Sequence, residues 1–127
     1  MEKIPALWAN PDHLKQVFLN LILNAIDAMP DGGILTVRTG VDTLHREEGR
    51  VPALRIHLAD TGEGMDADTV SRLFEPFFTT KEDGTGLGLS ISYGIIRAHE
   101  GEIEVQSQTG EGTTFIIRLP IEKGAQS

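Results

Sequence analysis

The feature that most constrains the fold is a long amphipathic segment with clear helix signals at both ends. Asn10-Pro11-Asp12 offers a capping side chain followed by a proline at the first helical position. Pro30-Asp31-Gly32-Gly33 supplies residues that end a helix. The sequence therefore predicts a helix from about Pro11 to Met29, whose apolar sides must pack against other elements.

A narrow polar stripe runs along this predicted helix between its apolar flanks. At about 100° per residue, the five members of the stripe fall within one arc of roughly 80°. They are His13, Gln16, Asn20, Asn24 and Asp27. One interpretation is a stripe that faces solvent, although such stripes usually carry lysines and glutamates rather than amides. The other is that the amides ligate a hard cation or donate to a ligand, because amides between apolar flanks are costly without partners.

Composition limits the classes of protein to which the chain can belong. Its 127 residues form one domain, of which 39% are hydrophobic and 24% charged, as in globular proteins. The formal net charge of −8 argues against a partner that is nucleic acid. The absence of cysteine excludes disulfides, thiolate metal sites and cysteine nucleophiles. No apolar run approaches about 18 residues, so we expect no membrane contact. We also expect a cytoplasmic, monomeric domain that was cut from a longer protein.

Apolar alternation and turn residues predict the remaining elements. They are an edge strand at 4–9, strands at 34–41 and 53–60 joined by a solvated hairpin loop over 42–52, a short helix near 66–73, a helix over 87–99, and strands at 102–108 and 113–119. The helix over 87–99 is expected to place Leu87, Ile91, Ile95 and Ala98 on one face. This order predicts an α+β fold, a two-layer sandwich in which helices cover one face of a mixed, mainly antiparallel sheet.

A carboxylate breaks the apolar pattern at the end of the strand over 53–60. Asp60 continues the phase of the buried-type residues Leu54, Ile56 and Leu58, so it is expected to point toward the core. A buried carboxylate needs donors, and Gly62 and Gly64 in the following loop let backbone approach a bound group. The alternative interpretation is a turn aspartate that caps its own loop.

Thr113 shows the same phase in the last strand. It is in register with Phe115, Ile117 and Leu119, so its hydroxyl is expected to face the interior. It would then lie beside whatever Asp60 contacts.

A glycine-rich run, Gly84-Thr85-Gly86-Leu87-Gly88-Leu89-Ser90, opens the helix over 87–99. Free amides at a helix start can cradle phosphate, but the run lacks the lysine of a Walker loop, and a flexible hinge is the alternative. Just upstream, Phe74 to Lys81 contains three aromatic residues and could form a lid over a ligand. Gly62, Gly64 and Ala67 match a dinucleotide-binding motif only loosely. That motif requires a long helix and then a second parallel strand, and the sequence predicts neither after these residues.

Five stretches follow one another in a fixed order: Asn20 to Ala25, Asp60 to Met65, Phe74 to Lys81, Gly84 to Leu89 and Gly110 to Phe115. Together they resemble the successive motifs of the ATP-binding catalytic domain of bacterial sensor histidine kinases. This domain belongs to the gyrase, heat-shock chaperone, histidine kinase and MutL superfamily, and the resemblance covers about residues 5–120. The resemblance implies the Bergerat ATP-binding fold and, as cofactors, ATP with Mg²⁺.

The resemblance also implies roles for individual residues. Asp60 would accept a hydrogen bond from the adenine amino group, Thr113 would complete the adenine site, and Asn24 would ligate Mg²⁺. Asn20 would lie one turn away near the phosphates, so Asn20 and Asn24 are the candidate catalytic residues. The other candidate nucleotide-binding residues are Asp27, Gly62, Gly64, Met65, Phe78, Thr79, Lys81, Gly84, Thr85, Gly86, Leu87, Gly88 and Leu89. Many relatives carry a lysine where Asp27 stands, so the role of Asp27 stays open.

The resemblance also bears on the reaction. Clamp ATPases of the superfamily carry a glutamate at the position of Asn20, and an amide cannot act as a general base. We therefore expect transfer of the γ-phosphoryl group to another nucleophile rather than rapid hydrolysis. The chain's histidines lack the sequence context of a phosphoacceptor; they are His13, His45, His57 and His99. The acceptor would lie on a separate helical dimerisation domain, absent from this chain, and a response regulator would receive the phosphoryl group next.

Three alternatives share this fold and stay open at the level of sequence. They are an ATP-gated clamp ATPase, a serine kinase of the anti-sigma-factor type, and a nucleotide-binding regulatory module without turnover. Steady phosphate release would indicate the first, and acid-stable phosphate on the acceptor would indicate the second.

Overall fold

A computed structural model describes residues 10–47, 49–75 and 88–121. The elements in chain order are α1 (Pro11–Asp27), β1 (Leu35–Arg46), β2 (Gly49–Asp60), α2 (Ala67–Arg72), α3 (Gly88–Ala98), β3 (Glu102–Ser107) and β4 (Thr113–Pro120). The predicted edge strand at 4–9 and most of the glycine-rich run lie outside the described residues. None of the described helices has the length and apolar character needed to cross a membrane.

The four described strands form one sheet in the order β1-β2-β4-β3, and each neighbouring pair is antiparallel. Ser107 at the end of β3 lies opposite Thr113 at the start of β4. Ala59 lies opposite Thr114, which brings Asp60 at the end of β2 beside Thr113. One edge of the sheet therefore collects three polar residues from three strand ends.

The first helix follows its sequence signals closely. Asn10 caps it, because its Oδ1 accepts hydrogen bonds from the backbone N–H groups of Asp12 at 3.1 Å and His13 at 3.2 Å. The helix ends at Asp27, two residues before the predicted end. Val17, Leu21 and Ala25 are buried, so one side of α1 forms part of the core, as the two-layer prediction requires.

The core lies between the helices and one face of the sheet, which confirms the predicted α+β sandwich. Its buried members are Val17, Leu21, Leu54, Ile56, Leu58, Leu73, Ile96, Phe115, Ile117, Leu119 and Ile121. The alternation of Leu54, Ile56 and Leu58 is therefore confirmed, and Thr113 is buried in the same phase as Phe115, Ile117 and Leu119. His99 has a structural role, since its Nε2 accepts from the Asn10 N–H at 3.0 Å and its Nδ1 contacts the carbonyl of Ile95 at 2.8 Å.

The prediction of a solvated loop over 42–52 is wrong, because β1 and β2 continue through this stretch as paired strands. The pairing reaches Arg46 opposite Gly49. Leu44 is 1% exposed, so the stretch contains a core-type residue. Asp42 receives a hydrogen bond from Arg118 Nε at 2.9 Å and lies 3.6 Å from Arg55 Nη1. The charge of Asp42 is thus neutralised from other strands, which local sequence does not reveal.

The prediction of which residues of α3 face the core is also wrong in part. Its buried residues are Ser92 and Ile96, whereas Ile91 and Ala98 are exposed. Ile95 is partly buried against the core, and Leu87 lies outside the described residues. The helix is turned so that Ser92, rather than Ile91, faces α1.

Candidate functional site

The carboxylate of Asp60 is held in place by two backbone donors. Its Oδ1 accepts hydrogen bonds from the N–H of Gly62 at 2.8 Å and the N–H of Thr113 at 3.2 Å. Asp60 therefore caps its own loop, as one interpretation of the sequence expected, and it also anchors the start of β4. Its Oδ2 receives no hydrogen bond from the described residues, which leaves one oxygen of an oriented carboxylate to meet a ligand.

The glycines around Asp60 are required by close packing between backbone segments. A Cβ on Gly62 would lie 2.5 Å from the carbonyl oxygen of Ala28 at the end of α1. Gly64 and Gly112 have φ of +71° and +83°, and a Cβ there would collide with the carbonyls of Gln108 and Asp60, respectively. These contacts join the Asp60 loop to the end of α1 and to the β3–β4 turn. A close approach of Gly62 and Gly64 to a purine stays a prediction.

Ser107 connects three parts of the site, and sequence reasoning missed it. Its Oγ accepts a hydrogen bond from the N–H of Met65 at 2.8 Å and donates to the carbonyl of Gly112 at 3.1 Å. It also lies 2.8 Å from Oγ1 of Thr113. Ser107 is in phase with Ile103 in β3, so the reasoning that identified Thr113 would have found it too.

Asn20 joins α1 to the beginning of α3. Its Nδ2 donates to the carbonyl of Gly88 at 3.1 Å and to Oγ of Ser92 at 3.2 Å. Ser92 is fully buried, and its hydroxyl donates to the same Gly88 carbonyl at 2.9 Å. The amide predicted near the phosphates is therefore placed where the glycine-rich run enters α3. Ser92 is a second polar residue that the sequence analysis missed, because the predicted inner face of α3 contained Ile91 instead of Ser92.

The other members of the polar stripe differ in exposure. Asn24 is half-buried one turn after Asn20, whereas His13, Gln16 and Asp27 are exposed. The solvent-facing interpretation therefore holds for part of the stripe, and Asn20 has protein partners. Among the residues that the structure describes, no three His, Cys, Asp or Glu side chains are grouped to hold a metal ion. A magnesium site here would depend on amide oxygen from Asn24 and on oxygens that the ligand supplies, a donor set that suits Mg²⁺.

Several predicted site residues lie outside the described part of the chain. They are Phe78, Thr79, Lys81, Gly84, Thr85, Gly86 and Leu87. Gly88 and Leu89 begin α3, and Leu89 packs against the core. Phe74, the first residue of the predicted lid, stacks on Tyr93 of α3 with ring centroids 5.3 Å apart. The first residue of the predicted lid is thus packed against α3.

Comparison with known proteins identifies relatives of this arrangement. The family model described as "Histidine kinase-, DNA gyrase B-, and HSP90-like ATPase" matches residues 9–123. Sporulation kinase E of Bacillus subtilis is 47% identical over 126 residues, which is 99% of this chain and 16% of that protein. Sensor histidine kinase ZraS of Escherichia coli is 42% identical over 120 residues, 94% of this chain and 24% of that protein. The chain therefore spans about a sixth to a quarter of these relatives.

Solved structures give the same result for the fold. The nucleotide-free catalytic domain of histidine kinase ThkA superposes with a TM-score of 0.74 at 33% identity, covering 91% of this chain and 70% of that one. Full-length ShkA in complex with AMPPNP also gives 0.74, at 30% identity, covering 96% of this chain and 24% of that one.

Proposed function

Because this chain belongs to the histidine kinase-, DNA gyrase B- and HSP90-like ATPase family, with sensor histidine kinases among its relatives, we propose that it binds Mg-ATP and phosphorylates a histidine. The acceptor imidazole lies on a separate dimerisation domain of the same kinase. The phosphorus–oxygen bond to the leaving ADP breaks and a phosphorus–nitrogen bond forms. A response regulator then receives the phosphoryl group.

The observation that carries the proposal is the oriented carboxylate of Asp60. Two backbone N–H groups hold Oδ1, so Oδ2 is presented at a fixed position. A carboxylate only accepts hydrogen bonds, and the exocyclic amino group of adenine is a donor. Asp60 therefore selects adenine over a base that carries an oxo group at the same position.

The environment of Asn20 favours transfer to a nucleophile over hydrolysis of ATP. An amide cannot remove a proton from water, and Nδ2 of Asn20 is already bonded to Gly88 and Ser92. Asn20 instead fixes the start of α3, where the glycine-rich run would meet the phosphates. Asn24 would hold Mg²⁺, and the ion, when bound, neutralises charge on the phosphate oxygens. The proposal also places this domain in the cytoplasm and describes it as a monomer.

Phosphotransfer with γ-labelled ATP tests the proposal directly. The chain is incubated alone, and then with a phosphoacceptor-helix domain of a relative. We expect acid-labile label on the added domain only, because phosphohistidine is acid-labile and this chain lacks an acceptor motif. Asn24→Ala should abolish the transfer, since the phosphates would no longer be held in line.

Three other outcomes contradict parts of the proposal. Acid-labile label on this chain alone would mean that one of its histidines is an acceptor. Acid-stable label on the added domain would indicate a serine kinase. Steady phosphate release by the chain alone would indicate a clamp-type ATPase. Thr39→Ala, at an exposed position on β1, is the control substitution and should leave the transfer unchanged.

A further inference from the structure

We infer that Ser107 fixes the direction of the Thr113 hydroxyl and thereby makes this corner of the site reject purines with a 6-oxo group. The inference rests on the proposed function, because it assigns a specificity-determining role within the same nucleotide site. Ser107 acts through Thr113 and is a positioning residue.

One assignment of the hydrogen bonds of Ser107 satisfies all three of its partners, and the inference is built on it. A serine hydroxyl has one proton and two lone pairs. In this assignment the serine proton goes to the carbonyl of Gly112 at 3.1 Å, because a carbonyl can only accept whereas the Thr113 hydroxyl can itself donate. The N–H of Met65 takes one lone pair at 2.8 Å. The remaining lone pair faces Oγ1 of Thr113 at 2.8 Å, so Thr113 is the donor in that pair.

This assignment leaves Thr113 as an acceptor toward anything bound beside it. Its single proton is used on Ser107, and only lone pairs remain on Oγ1. Thr113 is 6% exposed, so water competes little for its hydroxyl. Ser107 is in turn held from the Asp60 loop through Met65 and from the β3–β4 turn through Gly112.

The two acceptors therefore belong to neighbouring residues at this edge of the sheet. The N–H of Thr113 is 3.2 Å from Oδ1 of Asp60, which ties the two residues together. An exocyclic amino group carries two N–H donors and can satisfy both acceptors. A 6-oxo group brings lone pairs against the Asp60 carboxylate and against Thr113 Oγ1, and buried groups left unpaired in this way weaken binding strongly.

The test compares ATP with inosine triphosphate, which differs from ATP only in the 6-oxo group and the hydrogen on N1. Dissociation constants are measured by calorimetry with Mg²⁺ for the wild type and for Ser107→Ala. In Ser107→Ala the Thr113 hydroxyl is released and can rotate to donate to an oxo group. We expect the preference for ATP over inosine triphosphate to narrow by about fivefold to tenfold. Loss of the hydrogen bond to Met65 should weaken the binding of both nucleotides alike, so its effect cancels in the ratio of the two dissociation constants.

Thr113→Val provides a second, independent measurement. It removes the hydroxyl, so we expect the ratio to narrow here too, and adding Ser107→Ala should then change it no further. Thr39→Val is the control for loss of an exposed hydroxyl and should leave the ratio unchanged. Should Ser107→Ala fail to fold in a thermal unfolding assay, the Thr113→Val ratio decides the matter alone.

Two results would overturn the inference while leaving the proposed function intact. One is that the wild type prefers ATP and that a folded Ser107→Ala variant prefers it by the same ratio of dissociation constants. The other is a Thr113→Val variant with the wild-type ratio. A wild type that binds neither nucleotide would instead contradict the proposed function.

Discussion

At the scale of single residues, the site depends on side chains that hold backbone and present polar atoms at the same time. Asp60 uses Oδ1 for the N–H groups of Gly62 and Thr113. Ser107 uses all its hydrogen-bonding capacity on Met65, Gly112 and Thr113. Strand phase alone predicted Asp60 and Thr113, because a polar residue in core phase is visible in the sequence. The same phase argument applies to Ser107, but strand phase does not show that Asp60, Ser107 and Thr113 meet, because their hydrogen bonds join different strands.

The two functions of Asp60 can be separated by two substitutions. Asp60→Asn can still accept from both N–H groups through Oδ1, but it presents an amide donor where Oδ2 was. We expect the loop to keep its stability, with a loss of ATP affinity of about 1–3 kcal/mol. Asp60→Ala removes both functions and should lower the melting temperature as well. Calorimetry with Mg-ATP and thermal unfolding of both variants make the comparison; an Asp60→Asn variant that binds ATP like the wild type contradicts the adenine role.

At the scale of elements, the sequence predicted boundaries well where a local signal sets them. Asn10 caps the start of α1, and β3 and β4 match the strands predicted at 102–108 and 113–119 to within one residue at each end. The prediction was wrong where distant residues decide. Arg118 lies 76 positions from Asp42, and the rotation of α3 brings Ser92 to Asn20. No local pattern carries that information.

The paired hairpin over 42–52 can be tested through its buried residue. Leu44 is 1% exposed, so Leu44→Ala should destabilise the domain by about 2–5 kcal/mol through lost packing and a cavity. Its neighbour Thr43 is exposed, and Thr43→Ala should change stability by less than about 0.5 kcal/mol. Urea unfolding of both variants measures the difference. Equal, small effects would support the solvated loop that the sequence first suggested.

The ion pairs of the same hairpin predict a dependence of stability on pH. The hydrogen bond from Arg118 holds the pKa of Asp42 below its ordinary value. Because the pKa is lower in the folded state, the stabilisation is complete above the pKa of the unfolded chain, near 4, and is lost as pH falls through the folded pKa. Asp42→Asn should therefore be less stable than the wild type at pH 7, with a smaller difference at pH 3. Urea unfolding across this range checks it, and a difference that grows toward pH 3 would contradict it.

At the scale of the whole molecule, the antiparallel sheet separates the candidate site from the Asp42 network. Three strand ends meet beside the Asp60 loop, and the Asn20 link fixes α3 against α1 on the helical side. The ion pairs of Asp42 lie in the long β1–β2 hairpin, which Arg118 of β4 ties to the rest of the sheet. The family and fold were predictable from the order of the motifs, since each motif marks one part of this arrangement.

The most direct measurement is a calorimetric titration of the wild-type chain with Mg-ATP and with Mg-GTP under the same conditions. An adenine site built on Asp60 predicts saturable binding of ATP and a GTP affinity at least about tenfold weaker. Equal affinities for the two nucleotides, or no binding of ATP, would contradict the assignment of this edge of the sheet as an ATP site.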